Sequence, residues 1–417
     1  MKKLKLRPYQ EEASRRAVAY LQDMDRHSNG IIVLPTGSGK SLTIADIAYK
    51  MNSNILVLQP SKEILQQNYA KMRAYTKNCS MYSASVNKKE ISRITFATIG
   101  SIFRKPEQFA HFKYIIVDEC HLTDADDGMY RQMFAKLGVK VLGLTATPYR
   151  LYSQMYIVNN DTGNKRKNYG KLDKEKLKEG ESFVGESTLK FITNIKGGNF
   201  KDVLYCVQVK DLVRQGFLAH TRYFEVMPPK YANMTMYKNS TGSDFSESSM
   251  RFVYDKCDMH GWTIGILTRL LYNSTIPRKG IIVFTKFVEE ATALAQAFGD
   301  IAGYVHGGMN KKEREQMLDD FRSGKKKIMF NASCLVVGFD YPELDTLVMA
   351  RPTLSLSVWY QVVGRILRPH PDKSESWVVD LCGNFSRFGK VEDLEVSCNM
   401  GWWYVHSNGK QLTDITM

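Results

Sequence analysis

Residues suited to holding a phosphate chain occur early in the sequence, in Pro35-Thr-Gly-Ser-Gly-Lys-Ser41. Gly37 and Gly39 can adopt backbone angles closed to other residues, so that successive N–H groups point at one anion beside the N-terminus of the next helix. Lys40 would then reach the β and γ phosphates of ATP, and Ser41 would ligate Mg²⁺. The pattern is a shortened G-x-x-x-x-G-K-[ST] whose first glycine is replaced. It predicts an ATP site formed by Thr36, Gly37, Ser38, Gly39, Lys40 and Ser41.

A pair of acids follows a later apolar run, in Tyr114-Ile-Ile-Val-Asp-Glu-Cys-His121. A phosphate loop requires a carboxylate at a strand end to hold Mg²⁺ through water, and hydrolysis requires a base that orients and deprotonates the attacking water. We assign the first role to Asp118, as a metal ligand together with Ser41, and the second role to Glu119. His121 follows closely and can link the nucleotide to whatever binds the sheet edge.

Other polar residues are predicted to complete this site. Thr145 and Thr147 end the run Val141-Leu-Gly-Leu-Thr-Ala-Thr-Pro148, where their hydroxyls can hydrogen-bond the acids and relay their state. Gln10 lies near the start of the first predicted helix. Its amide both donates and accepts, as reading the edge of an adenine requires, and Arg7 stands beside it as a further contact.

Two arginines lie three residues apart in Gln361-Val-Val-Gly-Arg-Ile-Leu-Arg368. We predict a helix here, with Arg365 and Arg368 on one face. Two guanidinium groups so placed can stabilise charge on a γ-phosphate, which is the arginine-finger role. Gln361 accompanies them as a coupling residue, and Gly338 and Asp340 lie where a loop can meet the ribose and the arginines.

Two sets of strands and helices are needed to position these residues. Apolar runs alternate with amphipathic stretches both before residue 150 and after residue 280, and only the first set carries a phosphate loop. This rhythm predicts an α/β fold with two tandem RecA-like parallel-sheet domains. Ligands bind such sheets at the carboxyl ends of the strands. We therefore predict nucleic-acid phosphate contacts, with low sequence specificity, at Pro60, Ser61, Thr98, Thr285 and Lys286.

The domain division predicted from the sequence has four parts. Residues 1–150 form the ATP-binding domain, 151–262 an insertion and connection, 263–385 the second domain and 386–417 a tail. Within the insertion, residues 159–181 are polar and rich in lysine, and we expect a loop that is either solvated or in contact with a nucleic-acid duplex. The tail predicts a hairpin with a type I′ turn at Asn408-Gly409, whose aromatic residues pack on the protein or stack on bases.

Composition agrees with a nucleic-acid partner. Lys and Arg number 58 against 43 Asp and Glu, a formal net charge of +15. Seven cysteines, an odd number with no C-x-x-C pair, favour a reducing compartment over a disulfide framework or zinc cluster. Neither a signal-peptide apolar region nor a run of 18 apolar residues occurs. We expect a cytoplasmic protein without membrane contacts, in a bacterium or a phage-infected host.

The motifs together resemble those of superfamily 2 helicases. The resemblance covers residues 4–384 and rests on Gln10, Pro35 to Ser41, Asp118-Glu-Cys-His121 and Thr145-Ala-Thr-Pro148, with Gln361 to Arg368 in the second domain. Within that superfamily the chain looks most like RadD-type repair helicases, and it is also similar to XPB and to phage branch-migration helicases. It departs from the RadD type in having no zinc-binding tail, since Cys382 and Cys398 are isolated.

The resemblance implies an ATP-driven motor on single-stranded or branched DNA in recombination, repair or replication, moving 3′ to 5′. We expect a monomer, with single-strand-binding or recombination proteins as candidate partners. Three alternatives remain open at this stage: an RNA helicase, the motor subunit of a restriction system, and a non-catalytic nucleic-acid binder switched by ATP.

Overall fold

The structure is a computed structural model that describes residues 4–123, 128–168, 177–272, 278, 280–332 and 341–415. Its strands, numbered along the chain, are β1 (Gly30–Val33), β2 (Ile55–Gln59), β3 (Cys79–Ser83), β4 (Lys88–Lys89), β5 (Ile94–Thr98), β6 (Tyr114–Asp118), β7 (Lys140–Thr145), β8 (Tyr149–Asn159), β9 (Lys165–Lys167), β10 (Glu181–Phe191), β11 (Asp202–Cys206), β12 (Thr221–Glu225), β13 (Ile281–Thr285), β14 (Ala302–His306), β15 (Ile328–Ala332), β16 (Thr346–Met349), β17 (Ser376–Asp380), β18 (Leu394–Asn399), β19 (Trp402–Ser407) and β20 (Lys410–Gln411).

The helices are named in the same way. They are α1 (Pro8–Gln22), α2 (Lys40–Lys50), α3 (Lys62–Arg73), α4 (Ile99–Ile102), α5 (Met129–Leu137), α6 (Val209–Arg214), α7 (Glu247–Lys256), α8 (Met259–Tyr272), α9 (Val288–Phe298), α10 (Lys311–Arg322), α11 (Leu356–Val363) and α12 (Asn384–Phe388). No helix in the described ranges is long and apolar enough to cross a bilayer.

The chain forms two compact units. The first contains Met1–Arg150, Lys190–Gln215 and Glu395–His406, and the second contains Leu151–Leu189, Gly216–Leu394 and Ser407–Met417. Each unit therefore draws on separate stretches of sequence.

An eight-stranded sheet organises the first unit, in the order β11-β1-β7-β6-β2-β5-β3-β4. Its strands pair in parallel except for β4, which is antiparallel to β3. β1 and β2 are buried along their whole length, as parallel strands covered on both faces require. Polar residues at the carboxyl ends of β1, β2, β5, β6 and β7 consequently meet along one edge.

The second unit contains a six-stranded parallel sheet in the order β12-β17-β16-β13-β15-β14. Its core joins α7, α8 and α9 to β13 and β15 through residues such as Met250, Leu267, Leu294 and Phe330. The predicted α/β class with two parallel sheets is confirmed.

Two stretches differ from the sequence prediction. Residues 159–181 do not form a wholly irregular loop, because β9 pairs antiparallel with β8 and Glu181 begins β10 in a three-stranded sheet ordered β10-β8-β9. The range 151–262, predicted to be an insertion and connection, also supplies β11 to the first sheet and β12 to the second. Both added strands are short and partly exposed, so their apolar pattern is weak.

The predicted hairpin in the tail is confirmed. Asn408 and Gly409 have φ of 48° and 78°, as a type I′ turn requires, and they connect β19 to β20. Within the first unit, the Trp403 ring stacks on the buried Phe191 ring at a centroid distance of 6.0 Å. Trp402 is 53% exposed. One aromatic of this strand therefore packs on the protein, and its neighbour faces solvent.

Candidate nucleotide site and nucleic-acid edge

The loop between β1 and α2 has the backbone that a phosphate cradle needs. Gly37 and Gly39 have φ of 81° and 84°, in the left-handed region, and α2 begins at Lys40. A Cβ atom on Gly39 would be strained by the backbone angle, and at 2.5 Å from Gln10 Nε2 it would also displace the Gln10 amide. Ser41, in the first turn of α2, is partly exposed at the same helix end.

Gln10 and Tyr9 hold this loop from α1. Gln10 Nε2 donates to Ser38 O at 2.8 Å, and the Tyr9 hydroxyl donates to the same carbonyl at 2.7 Å. Gln10 Oε1 accepts from the main-chain N–H of Arg7 at 2.9 Å. Sequence reasoning linked Gln10 only to adenine, whereas the structure places its amide against the phosphate loop. Tyr9 is 7% exposed, which excludes base stacking in this conformation.

The two acids lie at the end of β6 in different environments. Asp118 is buried and accepts from Asn68 Nδ2 at 2.7 Å and from the Glu119 N–H at 2.9 Å. Burial, and then the Glu119 charge, raise its pKa to about 6, against the opposing effect of Lys40. Glu119 has φ of 49°, and its Oε1 lies 3.4 Å from Lys40 Nζ. The structure therefore brings Lys40 and both acids together.

Asn68 was missed by sequence reasoning. It extends from α3 and also donates to Gln59 Oε1 at 2.9 Å, so it joins the end of β2 to the acid on β6. Its contact with Asp118 spans 50 residues, and a lone asparagine in a helix gives no local signal for such a role.

His121 connects the acids to Thr145 at the end of β7. Its Nδ1 lies 2.8 Å from Thr145 Oγ1 and 3.5 Å from Glu119 Oε2. Burial lowers the pKa of His121 to about 4, outweighing the opposite effect of Glu119, so the ring is neutral near pH 7. Thr145 Oγ1 in turn accepts from the Thr147 N–H at 3.0 Å. These contacts form a continuous chain from Glu119 to Thr147.

Three of the predicted nucleic-acid contacts lie on the first unit. Ser61 is the N-cap of α3, where its Oγ accepts from the Ile64 N–H at 3.4 Å, and Pro60 precedes it. Thr98 ends β5, beside β2, and its hydroxyl lies 2.9 Å from Ser101 Oγ. All three are partly exposed, so they line one accessible stretch of the sheet edge.

On the second unit, the structure separates Thr285 from Lys286. Thr285 is fully buried, and its hydroxyl lies 3.4 Å from Phe287 O, so its side chain faces the interior rather than a passing phosphate. β13 is buried along its whole length, as a central parallel strand covered on both faces is, and this explains the difference from the sequence prediction. Lys286 retains 21% side-chain exposure and pairs with Glu247 at 3.2 Å.

The prediction that Arg365 and Arg368 lie on a helix was wrong. α11 ends at Val363, and Gln361 is buried within it, whereas both arginines follow in a non-helical turn and are partly exposed. The Ile366 carbonyl accepts from Ser376 Oγ at 2.6 Å, which replaces the bond that a continuing helix would supply. Gly338 and Asp340 lie outside the described residues.

The residues of the first unit match the chemistry of a magnesium nucleotide. The cradle offers N–H groups, Lys40 offers a cation, and Ser41 with Asp118 offers the hard oxygen donors that Mg²⁺ prefers. Ser38 Oγ is buried without a hydrogen-bond partner in the described part of the chain, which leaves it available to a ligand. Mg²⁺ at this position would neutralise charge on the phosphates. Glu119 lies beside this set, with its Oε1 3.4 Å from Lys40 Nζ.

Fold and site together define a protein with two parallel sheets and a phosphate loop on the first of them. Residues 3–150 match a family model described as "Type III restriction enzyme, res subunit", and residues 262–370 match "Helicase conserved C-terminal domain". The mitochondrial ATP-dependent helicase irc3 of Schizosaccharomyces pombe is 26% identical over 92% of this chain and 58% of its own length. The DNA 3′-5′ helicase XPB of Mycobacterium tuberculosis is 24% identical over 82% of this chain and 56% of its own. The chain thus spans little more than half the length of either relative.

Solved structures agree with this assignment at the level of fold. A Type ISP restriction-modification enzyme, LlaBIII, bound to DNA has a TM-score of 0.60 at 19% identity, covering 91% of this chain and 28% of its own. Dbp5 of S. cerevisiae, bound to RNA and ADP BeF3, has a TM-score of 0.54 at 15% identity, covering 93% and 92%. The two matched domain models are those of superfamily 2 helicases, and the relatives of this chain include the XPB type.

Proposed function

We propose that this protein is an ATP-dependent DNA helicase or translocase that acts on single-stranded or branched DNA, including forks and junctions. The observation that carries the proposal is the chain Lys40–Glu119–His121–Thr145, which connects a phosphate loop to the carboxyl edge of the first sheet. A motor needs such a connection, because ATP hydrolysis must change how tightly the protein binds the nucleic acid.

Each residue has a defined part in the proposed reaction. Lys40 binds the β and γ phosphates, Ser41 and Asp118 hold Mg²⁺, and Glu119 accepts the proton of the attacking water. Arg365 and Arg368 stabilise charge that develops on the γ-phosphate. Gln10 donates a hydrogen bond to Ser38 O, so its position follows the conformation of the phosphate loop, in addition to any contact with the base.

DNA is favoured over RNA by the XPB relative, whose name states a DNA helicase activity. Pro60, Ser61, Thr98 and Lys286 would bind phosphates and sugars, so recognition should depend on strand structure rather than on sequence. The proposal also includes a role in repair or recombination. The protein would act as a monomer in a bacterial or phage-infected cytoplasm and would contact single-strand-binding proteins.

The deciding experiment compares ATP turnover with single-stranded, duplex, forked and four-way-junction DNA and with RNA of matched sequence. We expect single-stranded and branched DNA to stimulate turnover more than RNA, and forked DNA to be unwound. Glu119→Gln serves as the inactive control. Stimulation by RNA alone would replace the proposal with an RNA helicase, and absence of turnover with every polymer would reject a motor.

A restriction-system motor is the second candidate, favoured by the family model that matches residues 3–150. For this candidate we expect movement along intact duplex without separation of the strands. Displacement of a third strand from unbranched duplex, with no unwinding of forks, would support it over a helicase.

A further inference from the structure

The turn that carries Arg365 and Arg368 is held by its main chain. Between the two arginines, Ile366 and Leu367 are fully buried. Ile366 O accepts from Lys373 Nζ at 2.9 Å and from Ser376 Oγ at 2.6 Å, and Leu367 O accepts from the Ala219 N–H at 2.7 Å. A turn anchored through consecutive carbonyls fixes the directions in which the flanking side chains leave the backbone.

Lys373 contacts more of the main chain than Ile366 alone. Its Nζ also donates to Leu344 O at 3.1 Å and to Pro342 O at 3.2 Å, in the segment that leads into β16. An ammonium group has three N–H donors, and here each meets a main-chain carbonyl. Lys373 therefore ties the arginine turn to a second segment of the same unit.

We propose that Lys373 is a positioning residue for Arg365 and Arg368, whose ammonium group holds the turn between them in the orientation needed for catalysis. This inference rests on the proposed function of the two arginines. Its physical basis is that electrostatic stabilisation of a transition state requires preorganised charges, since a displacement of about 1 Å can cost roughly a hundredfold in rate.

The charge environment makes the contact sensitive to pH. Burial, with a smaller contribution from the neighbouring Arg368, lowers the pKa of Lys373 to about 8 against the opposing effect of Asp345. Other charged groups near this turn are His370 with its partners Glu343 and Asp372, each at 3.8 Å. A neutral amine keeps only two N–H donors, so one of the three carbonyls would lose its donor as pH rises.

The test compares Lys373→Met with Ser376→Ala, which removes only the hydroxyl donor to Ile366 O. Lys311→Met is the matched control, because Lys311 on α10 is 61% exposed in its side chain. We expect Lys373→Met to lower kcat for ATP by about tenfold to a hundredfold, with KM and ATP affinity changed less than about threefold. Ser376→Ala should give a smaller loss, and the double variant should lose less than the product of the two because both residues share one acceptor.

A pH profile provides an independent readout that does not depend on the folding of the variant. The kcat of the parent should fall as pH rises through about 8, and the profile of Lys373→Met should be flat there. Unchanged kcat in a folded Lys373→Met variant would overturn the inference, as would a loss of ATP affinity equal to the loss of kcat. If Lys373→Met does not fold, unchanged kcat in Ser376→Ala together with a flat parent profile would overturn it.

Variants of the two arginines distinguish a failure of the positioning role of Lys373 from a failure of the proposed function on which that role rests. Should Arg365→Ala and Arg368→Ala leave kcat unchanged, the proposed role of the arginines fails. Should they lower kcat while Lys373→Met does not, only the positioning role fails.

Discussion

Lys40 Nζ lies 3.4 Å from Glu119 Oε1, so the cation of the phosphate loop and the proposed base meet directly. Each side chain is more than four-fifths buried, at 11% and 14% exposure. A γ-phosphate bound by Lys40 would consequently lie within reach of Glu119. From this proximity we predict a different effect for the replacement of each residue.

Lys40→Ala should abolish nucleotide binding, whereas Glu119→Gln should bind ATP and turn it over roughly a hundredfold to ten-thousandfold more slowly, because the water-activating base is lost. ATP binding by calorimetry and steady-state turnover measure the two effects. Glu107→Gln, at an exposed site of the same unit, is the control for loss of a carboxylate. Turnover by Glu119→Gln at the parent rate would show that the base is another residue.

Replacement of Arg365 or Arg368 by Ala should reduce turnover by about three orders of magnitude with ATP binding at most modestly weakened, because the guanidinium charge acts in the transition state. Arg322→Ala is the control, since Arg322 lies on α10 and pairs with the nearby Asp319 at 2.7 Å. Weaker ATP binding at unchanged turnover would instead identify the arginines as ground-state contacts.

Thr145→Val should separate hydrolysis from stimulation by DNA. The change keeps the side-chain shape but removes the oxygen that joins His121 Nδ1 to the Thr147 N–H. We expect basal turnover within about threefold of the parent and a loss of most DNA stimulation, because the relay to the sheet edge is broken. Thr268→Val, at an exposed hydroxyl that bonds only to Ile264 O among its measured contacts, controls for loss of a hydroxyl. Equal stimulation in the parent and Thr145→Val would exclude this relay.

Replacing residues 160–180 by a short Gly-Ser linker should leave DNA-stimulated turnover largely intact while lowering unwinding of forks and migration of four-way junctions. The basic side chains of β9 are exposed, and lysine binds phosphate as a point charge, so the loss should be greatest at low salt. The double variant Lys165→Gln/Lys167→Gln tests the same charges with the strand retained. Equal fork unwinding by parent and deletion at every salt concentration would make this segment a spacer.

Stability should depend on pH through Glu290, whose two carboxyl oxygens are buried. Burial raises its pKa to about 8, although nearby main-chain N–H groups of Phe287 and Lys286 lower it. Between the ordinary carboxyl range and about pH 8, the native state holds a proton that the unfolded chain has released, so stability falls as pH rises. Glu290→Gln should remove this fall, on the order of 5 kcal/mol, from the free energy of unfolding measured by urea denaturation. The control Glu313→Gln, at an exposed position of the same unit, should retain the fall; if Glu290→Gln retains it too, Glu290 is not its source.

The parts of the site that the sequence predicted correctly are those built by neighbouring residues. The turn at Gly37 and Gly39 and the helix that begins directly after it each depend on a few consecutive residues. The missed parts depend on distant partners. Asn68 contacts Asp118 across 50 residues, and the turn at Arg365 is stabilised by a hydroxyl ten residues beyond Ile366. A local sequence pattern does not specify which distant donor will hydrogen-bond to a given carbonyl.

The three-part composition of the first unit has a consequence for the order of events during synthesis. Asn194 Nδ2 donates to Trp403 O at 2.7 Å, and Gln208 Nε2 donates to Val396 O at 2.8 Å. Those acceptors emerge from the ribosome only after residues 216–394, which build the second unit, have been made. Domains generally fold in order from the N-terminus. Here the unit that begins first is not completed until residue 406, and Phe191 pairs with Trp403 only after translation has passed through residues 216–394 of the other unit.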